Sequence, residues 1–189
     1  MTIGLLLALA VGWVRGGRIG RFTDFRFRYF GVILLGFAIQ LLLRLSGPPG
    51  FEPVVKLALP LHVLTYVLIL SALAANLSTP GMKAITVGVA LNFLVIAANG
   101  VRMPVSREAL ERIGQEAQIP RLIAGKILTH TLTGPGTHLR FLADVLFLPN
   151  PFPRPTIFSL GDVLMLVGVF ILVQTVMLGR SASPRQSTG

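Results

Sequence analysis

Asp144 and Asp162 are the only acidic residues after Glu116, and they stand 18 residues apart. Asp162 falls about one turn inside Ile157–Leu178, a stretch with no other charge. A carboxylate in such a stretch is expensive unless it has a partner or a purpose. Two carboxylates that share a site cannot both ionise easily. One keeps its proton while the other serves as base toward a water, which is how an aspartic peptidase attacks an amide. Asp162 fits a structural pattern equally well. Ser159-Leu160-Gly161-Asp162 is S-x-x-D, in which the serine caps a helix and the aspartate meets the positive end of its dipole.

Three further residues are candidates for holding a substrate or a water beside this pair: Asn99, Arg102 and Ser159. The Asn99 amide has a competing role, because Asn-Gly is an ordinary way to stop a helix. Arg102 could pair with Asp144 either in a site or as a structural bridge. His62 follows Pro60 and precedes Tyr66 by four residues. It reads as a packed histidine bonded to Tyr66, Gln40 or a carbonyl freed by Pro60, or else as a relay. His130 and His138 lie eight apart across a Gly-Pro-Gly turn without a carboxylate cluster, so no metal site is expected. The chain has no cysteine, which removes disulfides, thiol nucleophiles and iron–sulfur clusters. No cofactor is expected.

The elements that must carry these residues are apolar. Of 189 residues, 53% are hydrophobic and 13% charged, and the mean hydropathy is +0.76. A soluble domain carries about 25% charged residues. Lys56 and Lys83 are separated by 26 uncharged residues, and Lys83 and Arg102 by 18. A bilayer-crossing helix needs about 20 such residues. The apolar runs give five candidate spans: Thr2–Val14, Tyr29–Leu45, Val54–Leu77, Ala84–Asn99 and Ile157–Leu178. Gly4, Ala8, Gly12 and Gly16 recur every four residues, a small-residue stripe for close helix packing. Asn76, Asn92 and Gln174 are expected to make hydrogen bonds between helices.

Orientation follows from arginine. The short loop Arg15–Arg28 carries five arginines against Asp24, which assigns it to the cytoplasm and the N-terminus to the outside. Cytoplasmic segments then hold a net +7 (Arg15, Arg18, Arg21, Arg26, Arg28, Lys83, Arg180 and Arg185 against Asp24). The remaining +3 of the net +10 lies outside. The arginines are interleaved with Phe22, Phe25, Phe27 and Tyr29, and beside a membrane helix this reads as an anchor to anionic lipids rather than a nucleic-acid surface.

Gly100–Thr156 is expected to form an outer cap. Ser106 caps a short helix reaching about Gln118, ended by Pro120. Arg121–Thr131 reads as an interfacial stretch, and Thr137 caps a third short helix. Pro149, Pro151, Pro153 and Pro155 form a stiff connector of roughly 20 Å across the mouth of the bundle.

Two resemblances attach to these residues. D-V-L-F-L-P from Asp144, followed by T-I-F-S-L-G-D-V-L-M-L-V-G through Gly168, resembles the C-terminal catalytic region of lipoprotein signal peptidase, the signal peptidase II family. That resemblance implies an Asp144/Asp162 dyad acting on a lipoprotein-like substrate. Ser159 and Gly161 stand where that family has Asn and Ala. A-N-G-V-R-M-P-V (98–105), L-A-D-V-L-F-L-P (142–149) and F-S-L-G-D-V-L (158–164) resemble an uncharacterised family of bacterial integral membrane proteins, a domain of unknown function.

The expectation is an all-α, polytopic transmembrane bundle of about five spans in one domain, residues 1–189. Short interfacial helices cover its outer face (100–156), and a cytoplasmic tail follows (179–189). Its location is the cell (inner) membrane. An aspartyl peptidase-like hydrolase, a non-catalytic membrane subunit or scaffold with a membrane-protein partner, and a small-molecule or lipid transporter are the competing functions.

Overall fold

The computed structural model describes residues 2–45, 56–152 and 154–180. Residues 46–55 (which include the expected start of the third span at Val54), Pro153, and the tail from Ser181 with Arg185 lie outside them.

The chain is mostly helical, with the long helices where the charge-free runs put them. These are α1 (Thr2–Val14), α2 (Phe30–Leu45), α3 (Ala58–Ala74), α4 (Met82–Ala98) and α7 (Leu160–Met177). They pack in the order α1, α7, α4, α3, α2, so the C-terminal helix sits between the first and fourth. Of the described helices, α7 is long and apolar enough to cross a membrane, and the other four are shorter apolar helices. All five turn large apolar side chains outward, including Leu6 and Trp13 of α1, Leu35 and Phe37 of α2, Val67 of α3, Leu94 of α4 and Ile171 of α7.

Small residues set the helix contacts. A side-chain carbon on Gly4 or Gly12 would collide with Leu166 or Met177, and Ala8 is fully buried. The expected stripe is therefore the α1–α7 seam as far as Gly12. Gly16 instead ends the helix with φ +80° and faces open space. A second seam joins α4 and α7 antiparallel, Gly81 against Gly168 and Gly88 against Gly161, with backbone meeting backbone. Close approach of this kind is how helices associate where apolar surroundings give no hydrophobic drive. Polar side chains tie the ends. Gln174 donates to the Ala8 carbonyl (2.7 Å) and accepts from Arg15 (2.9 Å), while Asn76 receives the Arg28 N–H (3.0 Å) and donates to the Arg28 carbonyl (2.9 Å).

The cap is not all-helical, which corrects the all-α expectation. Ser106 does cap α5, accepting from the Ala109 N–H, but α5 covers only Arg107–Arg112. Gly114, at φ +72°, stands beyond its end, and Pro120 opens rather than ends a helix, near the start of α6 (Ile119–Ile123). Proline suits that position because its missing N–H has no partner there anyway. The expected interfacial stretch turns into strand β2 (His130–Leu132), parallel to β1 (Met103–Val105) with Pro104 facing Thr131. Thr137 closes a turn by accepting from the Gly134 N–H (2.8 Å), and only one 3-10 turn follows, at Arg140–Leu142.

The proline segment is also corrected. β3 (Leu146–Leu148) pairs antiparallel with β4 (Thr156–Phe158), Leu148 facing Thr156. Pro149 and Pro155 thus stand next to the ends of two paired strands, side by side rather than about 20 Å apart. Ladder pairing satisfies backbone groups that an isolated proline-rich strut would leave to water. Val95 and Ile96 of α4 pack with Met103, Leu142 and Ala143, and this cluster seats the cap on the bundle.

Candidate functional site

The hairpin brings the two aspartates together. Asp144 lies two residues before β3 and Asp162 four residues after β4, so the pairing folds the intervening chain back on itself. The backbone of Asp144 is held from both sides. Its N–H donates to the Pro104 carbonyl (3.0 Å), and its carbonyl accepts from Ser106 (2.9 Å). Asp162 is the third residue of α7 and completes a capping box. Its N–H donates to Ser159 Oγ (3.0 Å), and its Oδ2 accepts the Ser159 N–H (2.9 Å). Its other oxygen, Oδ1, accepts from Asn92 Nδ2 of α4 (3.2 Å), and Ser159 Oγ donates to Asn92 Oδ1 (2.8 Å). The structural pattern is therefore satisfied in full, and Asp162 still faces the same space as Asp144.

That space is a cavity of about 200 Å³. Gln40 of α2, His62 and Tyr66 of α3, Asn92 and Ile96 of α4, Met103, Thr129 and His130 of the cap, and both aspartates line it. His62 is buried, and its Nδ1 lies 3.0 Å from the Val101 carbonyl. That carbonyl, rather than one freed by Pro60, is the partner seen. Val101 has φ +60°, a conformation costly for a β-branched residue, and it directly follows Gly100 at φ +66°. The His62 ring lies 5.4 Å from that of Tyr66, which stacks on Phe93 at 5.2 Å. Burial pushes the Asp144 carboxyl up to about 7, and the nearby Asp162 charge adds to the rise. Near neutral pH it therefore divides between acid and carboxylate, the condition for passing a proton in either direction.

The other expected site residues do not line this cavity. Ser159 is one step removed, its hydroxyl engaged with Asn92 and the Asp162 N–H. The Asn99 amide is turned to the loop, accepting from His138 N–H (2.9 Å) and donating to the His138 and Val95 carbonyls. Gly100 follows as the left-handed helix stop. Among the described residues Arg102 forms no ion pair with Asp144. Asn92 and Gln174 do bond between helices, as expected. Gln40, Tyr66 and Asn92 were not recognisable as cavity residues. The available signals were Gln40 as the one uncharged polar side chain of α2 and the one-turn step from His62 to Tyr66.

A larger groove, about 860 Å³, opens beyond the cavity and shares Gln40, Thr129, His130 and Asp144 with it. It runs between α2 and the cap.

Comparison with known proteins returns a family profile described as a family of unknown function (DUF5317), matching residues 24–174. A Thermotoga maritima protein described as an uncharacterized protein is 27% identical over 169 residues, covering 89% of this chain and 84% of its own. No solved structure matches. These findings support the resemblance to an uncharacterised family; neither supports the resemblance of residues 144–168 to signal peptidase II. With about four-fifths of its length matched by that profile, from before α2 to near the end of α7, the chain belongs to the DUF5317 family.

Proposed function

We propose that this chain is a multi-pass protein of the cell membrane and an aspartyl peptidase-like hydrolase at its outer face. Asp144 donates the proton and Asp162 is the base that activates water. The observation that carries this reading is the joint lining of one small cavity by the two carboxylates, with the Asp144 carboxyl raised to about 7. Asp162, with hydrogen bonds to both oxygens, is held as an oriented acceptor, and Asn92 fixes its aim. His62, Tyr66 and Gln40 complete a polar lining that an apolar bundle has no packing reason to assemble.

The membrane reading rests on the outward apolar side chains of all five helices, which water would not tolerate as so large a surface. The orientation rests on charge and geometry together. The Arg18 N–H and the Arg21 guanidinium both bond the Met177 carbonyl, so the basic loop lies at the C-terminal end of α7, opposite the cap. Arginine-rich short loops stay in the cytoplasm, which puts the N-terminus and the cap outside. With Arg15 and Arg21 bonded to α7, the exposed Arg18, Arg26 and Arg28 are the ones left to meet anionic lipid.

The test is turnover of a panel of membrane-anchored peptides by the full chain in liposomes, with Asp144→Asn and Asp162→Asn variants whose circular dichroism matches the parent. Loss of about a hundredfold or more in each is expected for a proton-transfer pair. Unchanged turnover in either would sink the reading.

The complete capping box supports a second reading, a non-catalytic membrane subunit in which Asp162 only starts α7. Purification in mild detergent would then bring down a stoichiometric membrane partner, and a clean monomer would count against it.

A further inference from the structure

The large groove carries a ligand class of its own. One wall is α2, where Phe37 and Leu41 are 60% and 56% exposed and continue the apolar face that the membrane reading turns to lipid. The opposite wall is the cap, with Leu122 and Ile127. Arg121 and Lys126 line it as well, and among the described residues neither has a carboxylate partner. Ile123 stands between them in sequence and is 68% exposed, as expected of a segment resting at the membrane surface rather than in water. At about 860 Å³ the volume suits an elongated small amphiphile and is too small for a folded partner.

We infer that this groove holds an anionic phospholipid, with an acyl chain against Phe37 and Leu41 and its phosphate between Arg121 and Lys126. The placement of the bilayer rests on the membrane reading above; the Asp144/Asp162 chemistry is not required. An acyl chain along α2 replaces water against leucine and phenylalanine. Two basic side chains at headgroup level favour an anionic over a zwitterionic head. The inner end of the groove is polar, at Gln40, His130 and Asp144, so the bound lipid would separate the small cavity from bulk water.

Trp13 is the one tryptophan, so a Trp13→Phe, Leu41→Trp chain carries a single reporter, at the groove wall. Its fluorescence is read in phosphatidylcholine vesicles as brominated phosphatidylglycerol, or brominated phosphatidylcholine, is titrated in. Quenching by the anionic lipid should show about twenty-fivefold preference, from two basic side chains each contributing about fivefold. Arg121→Glu with Lys126→Glu should abolish the preference, and Arg26→Glu, in the basic loop at the far end, should leave it intact. Native mass spectrometry of the parent chain with phosphatidylglycerol, against the double charge reversal, gives a second readout if the reporter variant does not fold. Equal quenching by both lipids, survival of the preference after charge reversal, or its loss to millimolar inorganic phosphate alone would overturn the inference. A chain released from vesicles by alkaline carbonate would instead overturn the membrane reading. Lipid preference that persists in Asp162→Asn keeps this inference separate from the hydrolase.

Discussion

Asp144→Asn should make the fold more stable at alkaline pH while removing the proposed chemistry. The ordinary carboxyl value is 3.8, and in the folded chain Asp144 titrates at about 7. Below pH 4 both folded and unfolded chains hold the proton, so the group has no effect on the balance. Between about pH 4 and 7 the unfolded chain releases it while the folded chain keeps it, and stability falls as pH rises. Above about 7 the loss is complete. Each tenfold difference in proton affinity is worth about 1.4 kcal/mol, so the full penalty approaches about 4 kcal/mol. Asp144 is only partly buried, and solvent at its exposed edge brings this to between about 2 and 4 kcal/mol. Asparagine keeps the shape and cannot ionise. Unfolding of parent and variant in mixed micelles, followed by circular dichroism, should therefore give matching stabilities at pH 3 and a more stable variant at pH 8.5. A gap that is absent, or that does not grow with pH, would refute the argument that Asp144 is held against its own ionisation. Asp162→Asn in the same series should narrow the gap, because the Asp162 charge is part of the cause.

Three other substitutions test the scaffold. Ser159→Ala removes the cap of α7 and the donor to buried Asn92 Oδ1, and should lower thermal stability by about 2 kcal/mol, with Ser159→Thr recovering part of it. Gly168→Ala would put a carbon 2.6 Å from the Gly81 carbonyl oxygen and should cost about 1–3 kcal/mol; Gly134→Ala, which meets nothing within 4 Å, should be silent in the same melt. Asn76→Ala frees both backbone groups of Arg28 from the turn that follows α3, and hydrogen exchange should show the Arg28 amide opening faster while the α7 core amides hold their rates.

The five long helices were legible because each is a local matter: an apolar run with at most one charge, which lies near its end. α1 coincides with its expected range, and the others differ by a few residues at their ends. The cap was not legible for the opposite reason. Met103–Val105 becomes a strand only because His130–Leu132 comes to lie beside it, and neither triplet has an alternating pattern long enough to announce that pairing. Four alternating prolines read as a strut when taken alone; only the register of the flanking Leu-Phe-Leu and Thr-Ile-Phe triplets makes them a loop. The Gly81/Gly88 and Gly161/Gly168 pairs shared a visible seven-residue spacing, but the matching faces belong to helices far apart in sequence. At the site, the carboxylates and the capping serine were readable from residue type and spacing. Asn99 and Arg102 looked equivalent to them on residue type alone, which says nothing about which way a loop side chain turns.

The order of helix packing has a consequence for biogenesis. α1 leaves the ribosome well before α7, the partner of its small-residue face; Arg15 and Gln174, which bond across that seam, are 159 positions apart. At about 5–20 residues per second, α1 waits roughly 8–30 s before the helix it packs on has been made. Throughout that interval the Gly4, Ala8 and Gly12 face is without the helix it packs on. If α1 enters a membrane as proposed above, the insertion apparatus, rather than the protein itself, must keep it from pairing with a stranger.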